Sequence, residues 1–404
     1  MFFIVFLYEL IYNFLGGEMT KSLENGKKAI IWLSLAHFIC DTYGGFLNPL
    51  MPFIADKIGF SMAIATLLMA ITQICSNMLQ PIFGFFADNI LKRFFIFWGV
   101  ILASTFIPLA SSAPNLIFLA LFMILGCLGG SFFHPQAMGF INHFSGKDCS
   151  NNMGFFISMG SLGFALGPLL AAFITQLAGL DKVFYTSFLG IILALLMFSF
   201  VPKLSLTENK PKQKQFFNSF KIILSNYQMK LLMLIAMMKS LVTNSACVLL
   251  PFLWKDLGYT PFYIGFALFF FVFAGSIGSF LSPRLEKRFG TKFVIYFSLW
   301  GTFPTMLGFA LTYKSMPILS MILFALIGFT TMLAQPIVLV MAQKILPDFK
   351  SVVSGFINGF CWGTVALILS GLGIVAQNFG IINVLLALTA IPALASISVK
   401  YLKD

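Results

Sequence analysis

His37 and Asp41 stand four residues apart in an otherwise apolar run, so a helix presents both on one face. Asn48, seven residues beyond Asp41, extends that stripe, and Gly44-Gly45 opens it. An imidazole beside a carboxylate in such surroundings supports two kinds of chemistry. One is a cavity wall whose carboxylate takes up and releases a proton. The other is a structural pair that fastens the segment. His134 is a second candidate. It precedes Pro135, which cannot donate to the carbonyl four residues back, that of Ser131, and so frees it for a ligand or a proton. Histidine is the side chain that ordinarily titrates near neutral pH, which suits a proton relay or a substrate donor; a satisfied interhelical histidine is the plainer reading.

The elements that must hold these groups follow from composition. Of 404 residues, 59% are hydrophobic and 9% charged, with 51 Phe and 20 Met. Mean hydropathy is +0.96. A soluble domain carries roughly 25% charged residues. This much apolar surface needs a bilayer, and inside a bilayer the backbone must satisfy itself, so a polytopic helical membrane protein is expected. Twelve spans are legible, at about 29–54, 62–87, 94–112, 115–143, 150–178, 182–202, 229–253, 261–282, 292–312, 316–343, 350–377 and 380–400. Residues 1–28 precede them, with Met19 favoured as the true start over an interfacial leader at residues 1–15. Residues 203–228 form the long polar connection, and its part 216–224 mixes Phe and Ile with Lys as an interfacial amphipathic helix would.

The net charge of +12 points to nucleic acid only until it is mapped. With both termini inside, twenty of the 25 Lys and Arg fall in cytoplasmic segments. Lys57, Lys182, Lys255 and Lys314 fall outside, and Lys239 lies within a span. That asymmetry sets the orientation: a multi-pass inner-membrane protein with cytoplasmic termini and no nucleic-acid partner. Six Cys at 40, 75, 127, 149, 247 and 361 show no metal spacing and read as unpaired thiols.

The chain also repeats. Leu50–Ser61, LMPFIADKIGFS, returns as Leu249–Thr260, LLPFLWKDLGYT, 199 positions on. His134-Pro135-Gln136 is answered by Gln335-Pro336-Ile337, 201 positions on. Two segments in one order at nearly one offset argue for duplication, with halves 29–202 and 229–404. By the same offset Lys239 falls beside Asp41, so a pair between them is expected, with snorkelling of Lys239 to the cytoplasmic face as the alternative. Ionisable groups inside a membrane are costly and face a cavity or a partner. His37, Asp41, His134 and Lys239 are therefore the candidates for proton coupling. Asn48, Gln73, Asn77, Gln136, Asn244, Gln335, Asn358 and Trp362 are candidates for the substrate-facing wall.

Three motifs carry a resemblance. After span two comes Gly84-Phe-Phe-Ala-Asp88-Asn89-Ile-Leu91-Lys92-Arg93; in span five, Gly163-Phe-Ala-Leu-Gly167-Pro168-Leu-Leu-Ala171-Ala172; in span four, Phe133-His134-Pro135. The first resembles the GxLaDrxGrr loop of the major facilitator superfamily and the second its antiporter-associated GxxxGPxxGG element. With His37-x-x-x-Asp41 and Leu79-Gln80-Pro81, they look most like the fosmidomycin-resistance efflux group, which usually has Glu where Gln136 stands. The resemblance implies two pseudo-symmetric six-helix bundles. It makes Gly84, Asp88, Lys92 and Arg93 a gating loop, and Gly163, Gly167 and Pro168 a span-five hinge.

The function expected is secondary transport by alternating access: proton-coupled efflux of a small drug-like or metabolite molecule, acting as a monomer without cofactor or metal. Uptake of a small organic solute is the alternative within the fold, and a transport-inactive sensor the alternative outside it. No Ser/His/Asp or phosphate-loop constellation supports an enzyme.

Overall fold

A computed structural model of the protein describes residues 21–80, 82–83, 94–145, 149–200, 220–346, 353 and 355–403. The expected Gly84–Arg93 gating loop, the start at Met19 and most of the central connection lie outside these residues. The part of that connection that is described, 220–225, is helical, with Ile223 buried and Lys221 exposed.

Eleven helices among the described residues are long and apolar enough to cross a membrane, and a shorter apolar helix stands in the place of span two. In order they are α1 (Gly26–Ile58), α2 (Met62–Met78), α3 (Phe94–Ser112), α4 (Leu116–Ser145), α5 (Phe155–Ala178) and α6 (Leu180–Met197). Then follow α7 (Tyr227–Asp256), α8 (Pro261–Phe289), α9 (Thr291–Thr312), α10 (Pro317–Ile345), α11 (Gly355–Phe379) and α12 (Ile381–Val399). The ends agree with the hydropathy reading to within about five residues wherever both ends are described, except that α8 runs on to Phe289, seven residues past the expected end at 282.

The repeated twelve-residue stretch has a physical reason. Gly59 and Gly258 take left-handed backbone, φ 85° and 81°, which glycine adopts without steric cost and which stops α1 and α7. Two residues later Ser61 and Thr260 cap the next helices, their side-chain oxygens accepting from the amides of Ile64 (3.4 Å) and Tyr263 (3.3 Å). Each copy thus encodes one helix–turn–helix corner at the end of the bundle that the charge count places outside, called here the outer end.

Packing repeats as well. α1 lies on α5 as α7 lies on α11, α3 on α4 as α9 on α10, and α3 on α6 as α9 on α12. The main contacts between halves are α2 with α11 and α5 with α8, which are symmetry mates of each other. The buried core differs between the two ends. At the outer end one core draws on both halves, joining Phe46, Leu50 and Ile54 to Leu249, Trp254, Phe309 and Phe324. At the opposite end the halves keep separate cores, one confined to residues 30–197 and the other to 223–402. The halves are joined at the outer end and parted at the opposite one.

Candidate functional site

The site begins with a break in α1. Regular helix stops at Gly44 and resumes at Leu47. Gly45 donates its amide to the Asp41 carbonyl (3.0 Å) as the chain turns. The break is possible because α5 comes very close. A Cβ on Gly163 would lie 2.1 Å from the Phe38 carbonyl oxygen, and one on Gly167 would lie 2.2 Å from that of Thr42. A Cβ on Gly45 would in turn meet Pro168 at 2.8 Å. The small residues of α5 form a groove for α1, as small residues do in helix pairs that cannot use the hydrophobic effect against lipid.

Gly160 extends that groove by one turn, and its missing side chain is where His37 sits: a Cβ there would be 2.3 Å from the imidazole. The ring stacks on Phe156 with centroids 4.1 Å apart. Its Nδ1 is 2.8 Å from the Phe156 carbonyl oxygen. A carbonyl can only accept, so Nδ1 carries hydrogen and donates. The tautomer is set by this bond, and Nε2 faces Asp41, 3.2 Å from Oδ2. The other carboxylate oxygen, Oδ1, is 3.4 Å from Nε2 of His134 on α4. The two imidazoles meet edge to face at 5.0 Å. Neutral His37 would point a lone pair at a carboxylate; a proton held between the two, on either partner, resolves that conflict. Asp41 thus joins two histidines from two helices.

Asp41 and His134 line a cavity of about 250 Å³ between the halves. Asn48, Gln73, Asn77, Asn244 and Trp362 line it too, as the wall residues read from sequence. One bond crosses it, Gln73 Nε2 donating to Asn244 Oδ1 at 3.3 Å. Thr72, Ser76, Thr243 and Cys247 also line it. The sequence reading missed them, although Thr72 and Ser76 flank Gln73 and Asn77 at helical spacing.

Three expectations need correction. Gln136 does not line this cavity; it is 6% exposed and its Oε1 accepts from the Ile96 amide (2.9 Å), tying α4 to the start of α3. Gln335 donates to Asn358 (2.9 Å) and neither lines the cavity. The Asp41–Lys239 pair is not made. Asp41 is taken by the histidines, and Lys239 is 3% exposed with no hydrogen-bond partner for Nζ among the described residues. Its place on α7 is one turn before Thr243 and two before Cys247, on the stripe that reaches the cavity. The offset placed it opposite Asp41 correctly in sequence, but a two-fold relation brings backbones together without fixing where a flexible four-carbon side chain ends.

At the outer end the halves are latched. Asp56 pairs with Lys255 across the interface, and Lys57 pairs with Asp181 within its half. Gln377 of α11 accepts from the amide of Ala63 at the start of α2 (3.2 Å). Gln176 of α5 accepts from the amide of Phe262 at the start of α8 (3.1 Å). Both amides belong to a first helical turn, where donors have no partner inside the helix. A further cavity of about 460 Å³ is lined by Asp56, Lys255, Asp256 and Gln377 and does not include the histidines.

The profile described as Major Facilitator Superfamily matches residues 33–371. The chain belongs to that superfamily. It is a membrane transporter of some solute and not an enzyme. It is 25% identical over 358 residues to the Fosmidomycin resistance protein of Escherichia coli (strain K12), covering 86% of each chain. It is 23% identical over 375 residues to the Uncharacterized MFS-type transporter YfnC of Bacillus subtilis (strain 168), covering 90% of each. Among solved structures it resembles the nucleoside transporter NupG, at 14% identity and a TM-score of 0.72, covering 93% of this chain and all of that one. That likeness, like a TM-score of 0.74 to a peptide transporter at 12% identity over 95% of this chain and 98% of that one, speaks for the fold.

Proposed function

We propose that this superfamily member is a proton-coupled exporter of a small organic molecule in the inner membrane, with halves 29–202 and 229–404 rocking about the central cavity. The observation that carries the reading is Asp41, held between His37 and His134 at the break in α1 and facing the cavity that both halves line. A discontinuous helix beside a mid-membrane polar site is a recurring transporter device. Neutral and ionised Asp41 bind the histidines differently, so the proton changes how tightly α1 holds α4. α1 runs along α5, and α5 meets the other half through α8 and the Gln176 latch. Proton binding thus has a mechanical route to the outer interface. Substrate would enter from the parted cytoplasmic end and touch the amide wall of Asn48, Gln73, Asn77 and Asn244, with Lys239 as the second ionisable group on the α7 side.

Export rather than uptake is supported by the name of the Escherichia coli relative and by a 27% identity over 171 residues to the Multidrug transporter protein MdtP of Bacillus subtilis. Proteoliposomes with an imposed proton gradient test this, with fosmidomycin as the first probe. Substrate should move against the proton flow, and collapse of the gradient should stop it. Movement of substrate with the protons would establish uptake; transport that ignores the gradient would remove proton coupling altogether.

A further inference from the structure

We propose that His37, Asp41 and His134 form a binding site for one divalent first-row transition ion of the Zn²⁺ or Co²⁺ kind, with its remaining coordination position open to the cavity. Nothing in the sequence announces this site, because its ligands come from two helices 93 positions apart in the chain rather than from one spaced motif. Each residue offers one donor atom, and the three lie within 4.8 Å of one another. Two imidazole nitrogens and one carboxylate oxygen are a donor set that such ions favour. His37 Nε2 lies 3.2 Å from one carboxylate oxygen of Asp41 and His134 Nε2 3.4 Å from the other. Ligands around a tetrahedral ion with bonds of about 2.0–2.1 Å stand roughly 3.3–3.4 Å apart, so the carboxylate would bind through both oxygens or turn to offer one.

The surroundings are those of a metal-bound histidine. His37 donates Nδ1–H to a backbone carbonyl, which leaves the Nε2 lone pair on the side of the carboxylate. That outer bond is what usually orients an imidazole ligand and raises its basicity. Phe156 stacks on the ring, Phe133 lies 5.8 Å away, and Gly160 leaves the space the ring occupies. The ligand is therefore held in place before an ion arrives. His134 and Asp41 line the cavity, so an ion has a route in and an unfilled position facing out. Cys40 on α1, Cys127 on α4 and Cys247 on α7 line the same cavity.

Binding must displace any proton held between His37 Nε2 and Asp41, since only deprotonated nitrogen and oxygen coordinate. An ion at this site and a coupling proton are mutually exclusive. Binding to the purified protein is measured without any transport, so its outcome and that of the proton-coupling reading are separable.

The full chain in detergent, stripped with chelator, should be titrated with Co²⁺ and followed by visible absorption, and with Zn²⁺ by calorimetry. One ion per chain is expected, with the intensified absorption of a four- or five-coordinate Co²⁺. Affinity should fall by about tenfold per pH unit for each proton displaced once the medium is acidic enough to protonate the site. His37→Gln, Asp41→Asn and His134→Gln should each weaken binding beyond the roughly 10–100-fold that loss of an outer-shell partner costs. Gly160→Ala keeps all three ligands but crowds His37, and should fall inside that 10–100-fold range. His143→Gln, at an exposed position near the end of α4, should bind as wild type does. Wild-type protein that leaves the Co²⁺ spectrum as it is in buffer overturns the proposal, whatever the variants do. So does stoichiometric binding that survives the His37→Gln/His134→Gln double change.

Discussion

At the scale of single residues, the chemistry rests on one carboxylate with two imidazoles and one ammonium with none. Asp41→Asn keeps the shape and removes the charge that a proton would cancel. It should preserve substrate exchange across the membrane and abolish accumulation against a gradient, measured as counterflow beside gradient-driven transport in the same vesicles. Accumulation at the wild-type rate would move the coupling role to His134 or His37. Lys239→Met removes a buried nitrogen that makes no hydrogen bond among the described residues. A polar group buried without a partner costs about 1–3 kcal/mol by mutational measures, so Lys239→Met should raise thermal stability in detergent while impairing transport. Since Lys239 and Asp41 make no contact, the stability effects of Lys239→Met and Asp41→Asn should add to within about 0.5 kcal/mol. A larger coupling would mean that the two groups meet in another conformation of the cycle.

At the scale of elements, α1 and α5 form the unit that positions the site, and much of it could be read in advance. Gly163, Gly167 and Pro168 stood out as small residues four apart with a bend, and the structure places each against α1. Their fit can be checked by adding a single methyl group. Gly163→Ala and Gly167→Ala should each destabilise by about 1–3 kcal/mol or halt turnover, because the new Cβ meets backbone rather than a side chain that can swing away. Gly371→Ala in α11, where a Cβ meets nothing within 4 Å, should be neutral or stabilising by up to about 1 kcal/mol. Equal effects at all three positions would show that helix propensity and not close packing governs α5.

Other features of these elements were not legible. Span one read as one continuous helix, because hydropathy does not register a two-residue turn at Gly45-Phe46 in which the Phe46 amide bonds three residues back rather than four. The π-type turns at Ile74–Met78 and Gly355–Phe360 escaped for the same reason. They concern which carbonyl an amide chooses, and that choice is made by the neighbouring helix. Gly160 was overlooked because it lies three residues before Gly163 and falls outside the four-residue period being sought. Gln136 was misplaced because a polar residue in a span can serve a helix terminus as well as a cavity.

At the scale of the whole molecule, the shared outer core and the separate inner cores describe a transporter closed on one side. The two glutamine latches help decide how firmly. Each replaces water on an otherwise unpartnered amide, which is worth about 0.5–1.5 kcal/mol per bond. Replacing both, as Gln176→Leu/Gln377→Leu, should move the balance toward a form open at this end by roughly 5- to 150-fold. Spin labels at Pro114 and Ser315, exposed on opposite halves, would read this as a longer distance population. An unchanged distance distribution would assign closure to the apolar core alone. The latches were recoverable from sequence in hindsight: Phe262 follows Ala63 by 199 positions and Gln377 follows Gln176 by 201, the same offsets that revealed the repeat.

The Asp56–Lys255 pair carries a record of descent. In the aligned repeat Asp56 matches Lys255 and Lys57 matches Asp256, so the two copies have opposite charges at each of the two positions. Two identical halves related by a two-fold would bring Asp against Asp or Lys against Lys at that spot, and a symmetric ancestor could not have formed this contact. The ion pair became available only once the two copies could differ in sequence. That ion pair is therefore younger than the helix corner that carries it, and it makes the two halves inequivalent: each holds a charge that the other answers.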